Sequence, residues 1–304
     1  MLFRSAAEKL GVRAVLEPEA GFGDSLEALL WSPLGWADWR EYERAPGVDR
    51  YRWDEPRFRT HVGAREAHSH LDDFQYAWFN GAGFLAWENV FGIRNELVPR
   101  DAEILRRLAL VYHAMPTFPS NSEWEPYAPL LQAGDVYASK WSLPDSGFVW
   151  TIVNRGDRAV RGPILDVPNY HNQRFYDLWT GAELLPRQKL INRIERHAEI
   201  SLEIEPHGFA GVIEVNQPPS RESPLFELLP KLRALARKTP SLDALSNEWK
   251  GASQRLVAVV PTGKYVDAPP GMVHVPSVRG WKFSVTGLEI ENYEGSGEIG
   301  RAHV

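Results

Sequence analysis

The sequence predicts a multidomain chain, α/β in its first part and all-β after it. Apolar strands and an amphipathic helix alternate up to residue 114. From Asp135 to Val215, short strands are punctuated by turns, as in an antiparallel β-sandwich. Between the two, Pro116, Pro119, Pro126 and Pro129 end the helical pattern and mark a boundary.

Residues 2–10 read as a helix stopped by Gly11, and Val12 to Leu16 as a short strand leading to Glu17 and Glu19. Asp24 to Trp31 is compatible with a helix. Ser32 to His70 is polar, aromatic and without a period, which predicts a long functional or irregular loop. Phe74 to Phe79 reads as a strand, Asn80-Gly81 as a turn and Gly83 to Trp87 as a buried strand that ends in Glu88-Asn89. Ile104, Leu105, Leu108 and Val111 place an amphipathic helix over Pro99 to Ala114. Sandwich strands are expected at 136–141, 148–154, 162–167, 174–178, 200–204 and 208–215. A Pro/Ser-rich link follows at 218–224, then a basic-faced helix from Leu225 to Lys238. Further strands are expected at 256–260 and in the alternating stretches 272–275 and 281–285.

Composition narrows the function. The 304 residues are 43% hydrophobic and carry a formal net charge of −6, so there is no basic footprint for nucleic acid. The absence of cysteine removes disulfides, thiolate nucleophiles and cysteine zinc sites from this stretch. No apolar run approaches the roughly 20 residues of a membrane span. Of 12 Trp, six fall in the first 87 residues, and such crowding suggests either a stacking surface or an aromatic core.

The densest chemistry lies between Asp72 and Asn89. Asp73, Trp78, Asn80, Trp87, Glu88 and Asn89 concentrate carboxylates, amides and indoles near strand ends. Glycoside cleavage needs an acid near the leaving oxygen, a second carboxylate across the ring and aromatic faces to hold the sugar. Glu88 is the first candidate for acid/base or ring contact, Glu17 for its partner. Trp78, Trp87, Asn80, Asn89 and Asp73 are the candidate substrate contacts. The competing reading makes the same carboxylates loop caps or buried hydrogen-bonding groups and the indoles core. His68, His70 and Asp72 have a weak metal-ligand spacing, but no further ligand at a recognisable distance completes it, so solvated loop histidines are expected, with neither metal nor cofactor. Ser139, Ser142 and His207 show no nucleophile elbow or triad pattern. Asn80 to Gly83 precedes a strand and is too short for a phosphate loop.

Phe79 to Gly92, with Pro99-Arg-Asp101 and the helix to His113, resembles the end of a glycoside-hydrolase-like TIM barrel. Ala138 to Trp141, Trp150 to Arg155, Phe175 to Trp179 and Glu205 to Phe209 look like the β-sandwich appended to such barrels. Ala268 to Pro276 and Trp281 to Glu291 resemble the opening of a formylglycine-generating-enzyme (sulfatase-modifying factor) domain, although Ser277-Val278 replaces the expected Gly-Gly turn. The resemblance implies a partial (β/α)8 barrel at 1–115, a sandwich at 116–217, a helical linker at 218–255, the start of the third domain at 256–294 and a non-native tail at 295–304. One permitted back-translation of Glu298 to Val304 resembles the leading bases of a sequencing adapter. A complete barrel takes about 250 residues, so roughly half of one is expected here. It implies an internal piece, inactive by itself, of a larger bacterial-type protein that acts on a carbohydrate or glycoconjugate. Two alternatives stay open: a modifying enzyme in which the barrel recruits the partner, and a non-catalytic glycan-binding protein. The cysteines used by formylglycine-generating enzymes are absent from this chain.

Overall fold

The computed structural model describes residues 9–11, 29, 32–36, 45–64, 69–86, 97–121, 123–132, 134–143, 147–169, 173–193 and 195–248, with scattered residues between 258 and 280. Two compact units divide at Lys250 and Gly251. In the first, three short parallel strands, β1 (Leu34–Trp36), β2 (Arg59–Ala64) and β3 (Gly83–Ala86), form one sheet in the order β1-β2-β3. Helix α1 (Arg50–Asp54) precedes β2, α2 (Leu71–Asn80) links β2 to β3, and α3 (Pro99–Ala114) follows β3. The expected loop from Ser32 to His70 thus contains two strands and a helix. Its elements are three to six residues long, too short to show a period, and α1 is held instead by Asp49, whose side chain accepts from the Tyr51 and Arg52 amides.

The stretch from Phe74 to Phe79 corrects the expected strand: it is the middle of α2. Phe74 and Trp78 stand four residues apart on one helix face, while Asp72 and Asp73 lie in the first turn, where the helix dipole favours acids. Asn80-Gly81 is accordingly a helix end and not a hairpin turn. Gly81 is the left-handed C-cap at φ 64°, and a Cβ there would come 2.6 Å from the Trp141 ring.

The sandwich follows its alternation. A six-stranded sheet runs in the order β4-β5-β6-β12-β8-β9, with β4 Trp124–Pro126, β5 Val136–Leu143, β6 Gly147–Asn154, β12 Phe209–Val215, β8 Arg174–Asp177 and β9 Glu183–Leu184. Its partner has three strands in the order β10-β11-β7, with β10 Arg187–Leu190, β11 Arg196–Ile204 and β7 Val160–Pro168; a bulge at Ile200/Ser201 shifts the β11–β7 register. Both sheets are antiparallel throughout, so the unit is mixed α/β with one parallel and two antiparallel sheets. Between the two sandwich sheets lies a mainly aliphatic core that includes Ile152, Ile164, Ile200 and Val212.

The other face of the six-stranded sheet is covered by helices. Phe74, Trp78 and Phe79 of α2, Ile104 and Leu108 of α3, and Leu225, Leu228, Leu229 and Leu232 of α4 (Pro224–Lys238) share one core with Trp141, Val149, Phe209 and Ile213. This core runs through the expected boundaries at 115 and 217, and α4 is packed into it. Two buried arginines tie the layers together. Arg52 lies 4.5 Å over the Trp141 ring and donates to the Asn80, Pro119 and Asn121 carbonyls. Arg107 pairs with Glu103 at 3.0 Å, lies over Trp179 and donates to the Trp179 and Thr239 carbonyls. No helix among the described residues is long and apolar enough to cross a membrane. In the second unit, the described residues carry neither helix nor strand; Met272, Val273 and Val275 are exposed, so the alternation at 272–275 does not form the expected strand.

Candidate functional site

Because β1, β2 and β3 are parallel, their C-terminal ends share one edge, where βα loops of such sheets carry chemistry. At this edge the structure gathers Ser69, His70, Asp73 and Asp101. Asp73 and Asp101 are both the third residue of their helices, α2 and α3, so two helix N-termini deliver carboxylates to one place. Asp101 Oδ2 accepts the His70 amide at 2.6 Å and Oδ1 accepts the Ser69 hydroxyl at 3.3 Å, fastening the segment after β2 onto α3. Asp73 Oδ2 lies 3.0 Å from His70 Nδ1. An ionised carboxylate only accepts, so this contact makes Nδ1 the protonated ring nitrogen.

The cluster is dry. His70 is 4% exposed, Asp73 6% and Asp101 0%. Burial pushes the Asp101 carboxyl above the ordinary carboxylate range, while the His70 amide pulls it down. The His70 ring meets Phe84 edge-on with centroids 6.0 Å apart, and Phe84 in turn stacks on Phe74. His70 is therefore a buried, hydrogen-bonded residue and not the solvated loop histidine expected. Among the described residues, no group of three His, Asp or Glu could hold a metal ion.

Glu17, Trp87, Glu88 and Asn89 lie outside the described residues, as do Glu19 and His68. The remaining three candidates separate. Asp73 is at the edge and holds His70. Trp78 is a correction: it is fully buried, its indole N–H donates to the Ala210 carbonyl at 2.8 Å, and its ring stacks on Tyr112, leaving no face for a sugar. Gly211 is required beside it, since a Cβ there would come within 2.9 Å of the indole. Asn80 is also a correction. It sits at the C-terminus of α2, at the end of the sheet opposite this edge, accepts from the Asp49 amide and donates to the Gly47 and Tyr76 carbonyls. With no exposed atoms, it closes the α1 corner.

Ser69, His70 as a buried group, and Asp101 were missed by pattern reading. The available signal was Pro99-Arg-Asp101, a proline at the first helical position followed by an acid in the first turn. A second missed group is Glu214 on β12, which is 5% exposed yet whose carboxylate has no hydrogen-bond or ion-pair partner among the described residues. Burial pushes its carboxyl up to about 7, with Lys140 pulling the other way. A lone acid within the apolar run 209–215 was its signal.

No protein-family model matches the chain, and no curated protein is significantly similar to it in sequence. Solved structures that resemble it are loose matches. AmyP in complex with maltose is 10% identical over 73% of this chain and 62% of its own, with a TM-score of 0.40. Alpha-galactosidase I from Mortierella vinacea is 12% identical over 71% of this chain and 62% of its own, also at 0.40. Abp-WT, a GH27 β-L-arabinopyranosidase from Geobacillus stearothermophilus, is 11% identical over 73% of this chain and 54% of its own, again at 0.40. The chain thus spans less than two thirds of the length of each. At these scores the chemistry has to come from the chain's own residues.

Proposed function

We propose that the C-terminal edge of β1–β3 is part of the site of a glycoside-processing protein. The reading is carried by one observation: the buried His70–Asp73 pair, fastened by Asp101, sits on the edge where β3 ends at Ala86, and Trp87, Glu88 and Asn89 are the next residues in the sequence. Glycoside cleavage requires a protonated carboxyl at the leaving oxygen and a second carboxylate on the ring. Glu88 takes the first role and Glu17 the second, with Trp87 as the stacking face and Asn89 as a hydroxyl contact. Asp73 holds the His70 ring in one orientation at this edge, through the contact to Nδ1. Trp78 and Asn80 have no part in this site. Residues 256–294 are proposed as the opening of a formylglycine-generating-enzyme-like domain, on the strength of the sequence patterns at Ala268 to Pro276 and Trp281 to Glu291.

The test uses the complete protein against a panel of aryl glycosides. Glu88→Gln and Glu17→Gln are each expected to lower kcat at least about a hundredfold. Asp73→Asn, which weakens the acceptor that holds the His70 ring, should lower kcat/KM about tenfold while sparing the fold. Unchanged turnover in Glu88→Gln would sink the assignment.

A further inference from the structure

The sandwich carries an edge strand with an unusual surface. All four residues of β10 are exposed, β11 pairs with one edge, and no described strand pairs with the other. Around it, Leu185 is 88% exposed, Leu190 68% and Ile191 44%. The same hairpin exposes Arg187, Lys189, Arg193 and Arg196. Between Leu185 and Arg196 there are four basic residues and one acid, in a chain of net charge −6. That acid, Glu195, already receives the Asn192 amide group and contacts His197. Arg187 and Lys189 reach Glu199 and Asp166 only at 3.8 and 3.7 Å, and exposed pairs of that kind contribute little.

Register separates the two characters. Arg187 and Lys189 lie opposite Glu199 and His197 on one face, while Gln188 and Leu190 lie opposite Ala198 and Arg196 on the other. A second copy adding antiparallel to β10 would bring Arg187 and Lys189 against the same residues of its own kind, and directly opposed like charges repel. Charge alone would have protected the edge. The exposed leucines and Ile191 are not explained by protection. Their complement is a strand that alternates acidic and apolar side chains: acids opposite Arg187 and Lys189, an apolar residue beside Leu190, and main-chain hydrogen bonds along the free edge.

We propose that β10 is a docking edge for an extended acidic–apolar peptide segment of a partner protein, bound by strand addition. The probe is a fluorescein-labelled peptide, Glu-Val-Glu-Leu-Glu-Val-Glu, titrated by anisotropy against the whole chain. Saturable binding is expected, at least fivefold weaker when salt rises from about 50 to about 300 mM. The β10 amides should gain protection from hydrogen exchange. Arg187→Glu with Lys189→Glu should weaken binding at least tenfold at an unchanged melting temperature. If that variant misfolds, the neutral pair Arg187→Gln and Lys189→Gln replaces it, with at least a threefold loss expected. Equal binding of a Lys-Val-Lys-Leu-Lys-Val-Lys peptide would overturn the proposal. So would undiminished binding by the variants, self-association through β10 in sedimentation, or protection of the same amides by a sulfated oligosaccharide and not by the peptide.

Discussion

The two faces of the six-stranded sheet are built by different rules. The face toward β7 and β11 is mainly aliphatic and set by alternation along its strands, apart from the bulge at Ile200/Ser201 and the adjacent pair Ile164-Leu165, with Ala138, Ile152 and Val212 meeting Ile164, Ala198 and Ile200. The face toward the helices is aromatic and wired: Trp141 donates to the Thr151 hydroxyl, Trp78 to the Ala210 carbonyl, and Arg52 and Arg107 lie across indole rings. Buried polar groups cost free energy unless bonded, so the second face is positioned by directional contacts where the first is positioned by volume. Position by volume tolerates small changes; position by hydrogen bonds does not.

The largest expected effect tests that contrast directly. Arg52→Ala removes a guanidinium that satisfies three carbonyls and leaves a gap beside the stacked Trp124 and Trp141 rings; it should cost about 4 kcal/mol in urea unfolding. Arg52→Lys, which keeps the charge but not the planar fork, should recover less than half of that loss. On the aliphatic face, Ile164→Ala should cost about 3 kcal/mol and Ile164→Val only about 1, the gradient that a volume-filled core predicts. If Arg52→Ala costs less than Ile164→Val, the contrast is wrong.

Glu214 sharpens the comparison, since it is the acid that breaks the aliphatic rule. Its folded pKa of about 7 lies above the ordinary 4.5, so the folded state holds its proton longer than the unfolded chain. Its contribution is full below pH 4.5 and is lost as pH rises to 7. Wild type should lose about 2 kcal/mol more than Glu214→Gln across that window, as read by denaturant melts at pH 4.5 and 7.5. Equal losses would mean that solvent already reaches the carboxyl freely. The smallest effect is at the parallel-strand edge. Asp101→Asn keeps the shape but weakens the bonds from the His70 amide and Ser69, and should cost about 1 kcal/mol while lowering turnover of the complete protein more than it lowers stability.

The same division explains what was legible beforehand. Strands β5, β6, β7, β8, β11 and β12 alternate or run apolar over four to nine residues, and pattern reading placed all six within a few positions. Helix α3, with four apolar residues at helical spacing, was placed to the residue. The parallel unit was not. Its elements are short, α2 is buried on nearly every side, and a helix without a polar face reads much like a strand. The site suffered for the same reason. Trp78 and Asn80 were chosen for their chemistry, but an indole and an amide are also what a wired core uses to satisfy carbonyls, and only the partners distinguish the two uses. His70 was assigned to water because its carboxylates, Asp73 and Asp101, are supplied by two helix starts, one of them 31 residues further on.

The link from α2 into the sandwich sets a timetable for synthesis. Trp78 and Gln75 find their acceptors at Ala210, Gly208 and Asn154, up to 133 residues later in the chain. At roughly 5–20 residues per second, the β12 carbonyls leave the ribosome on the order of 10 s after α2 does. For that interval Phe74, Trp78 and Phe79 lack the six-stranded sheet that completes their cover, and the nascent chain offers an aromatic surface to whatever chaperone waits at the exit. Slowing translation after residue 143, between β5 and β6, would lengthen this exposure and lower the soluble yield without changing one residue of the product.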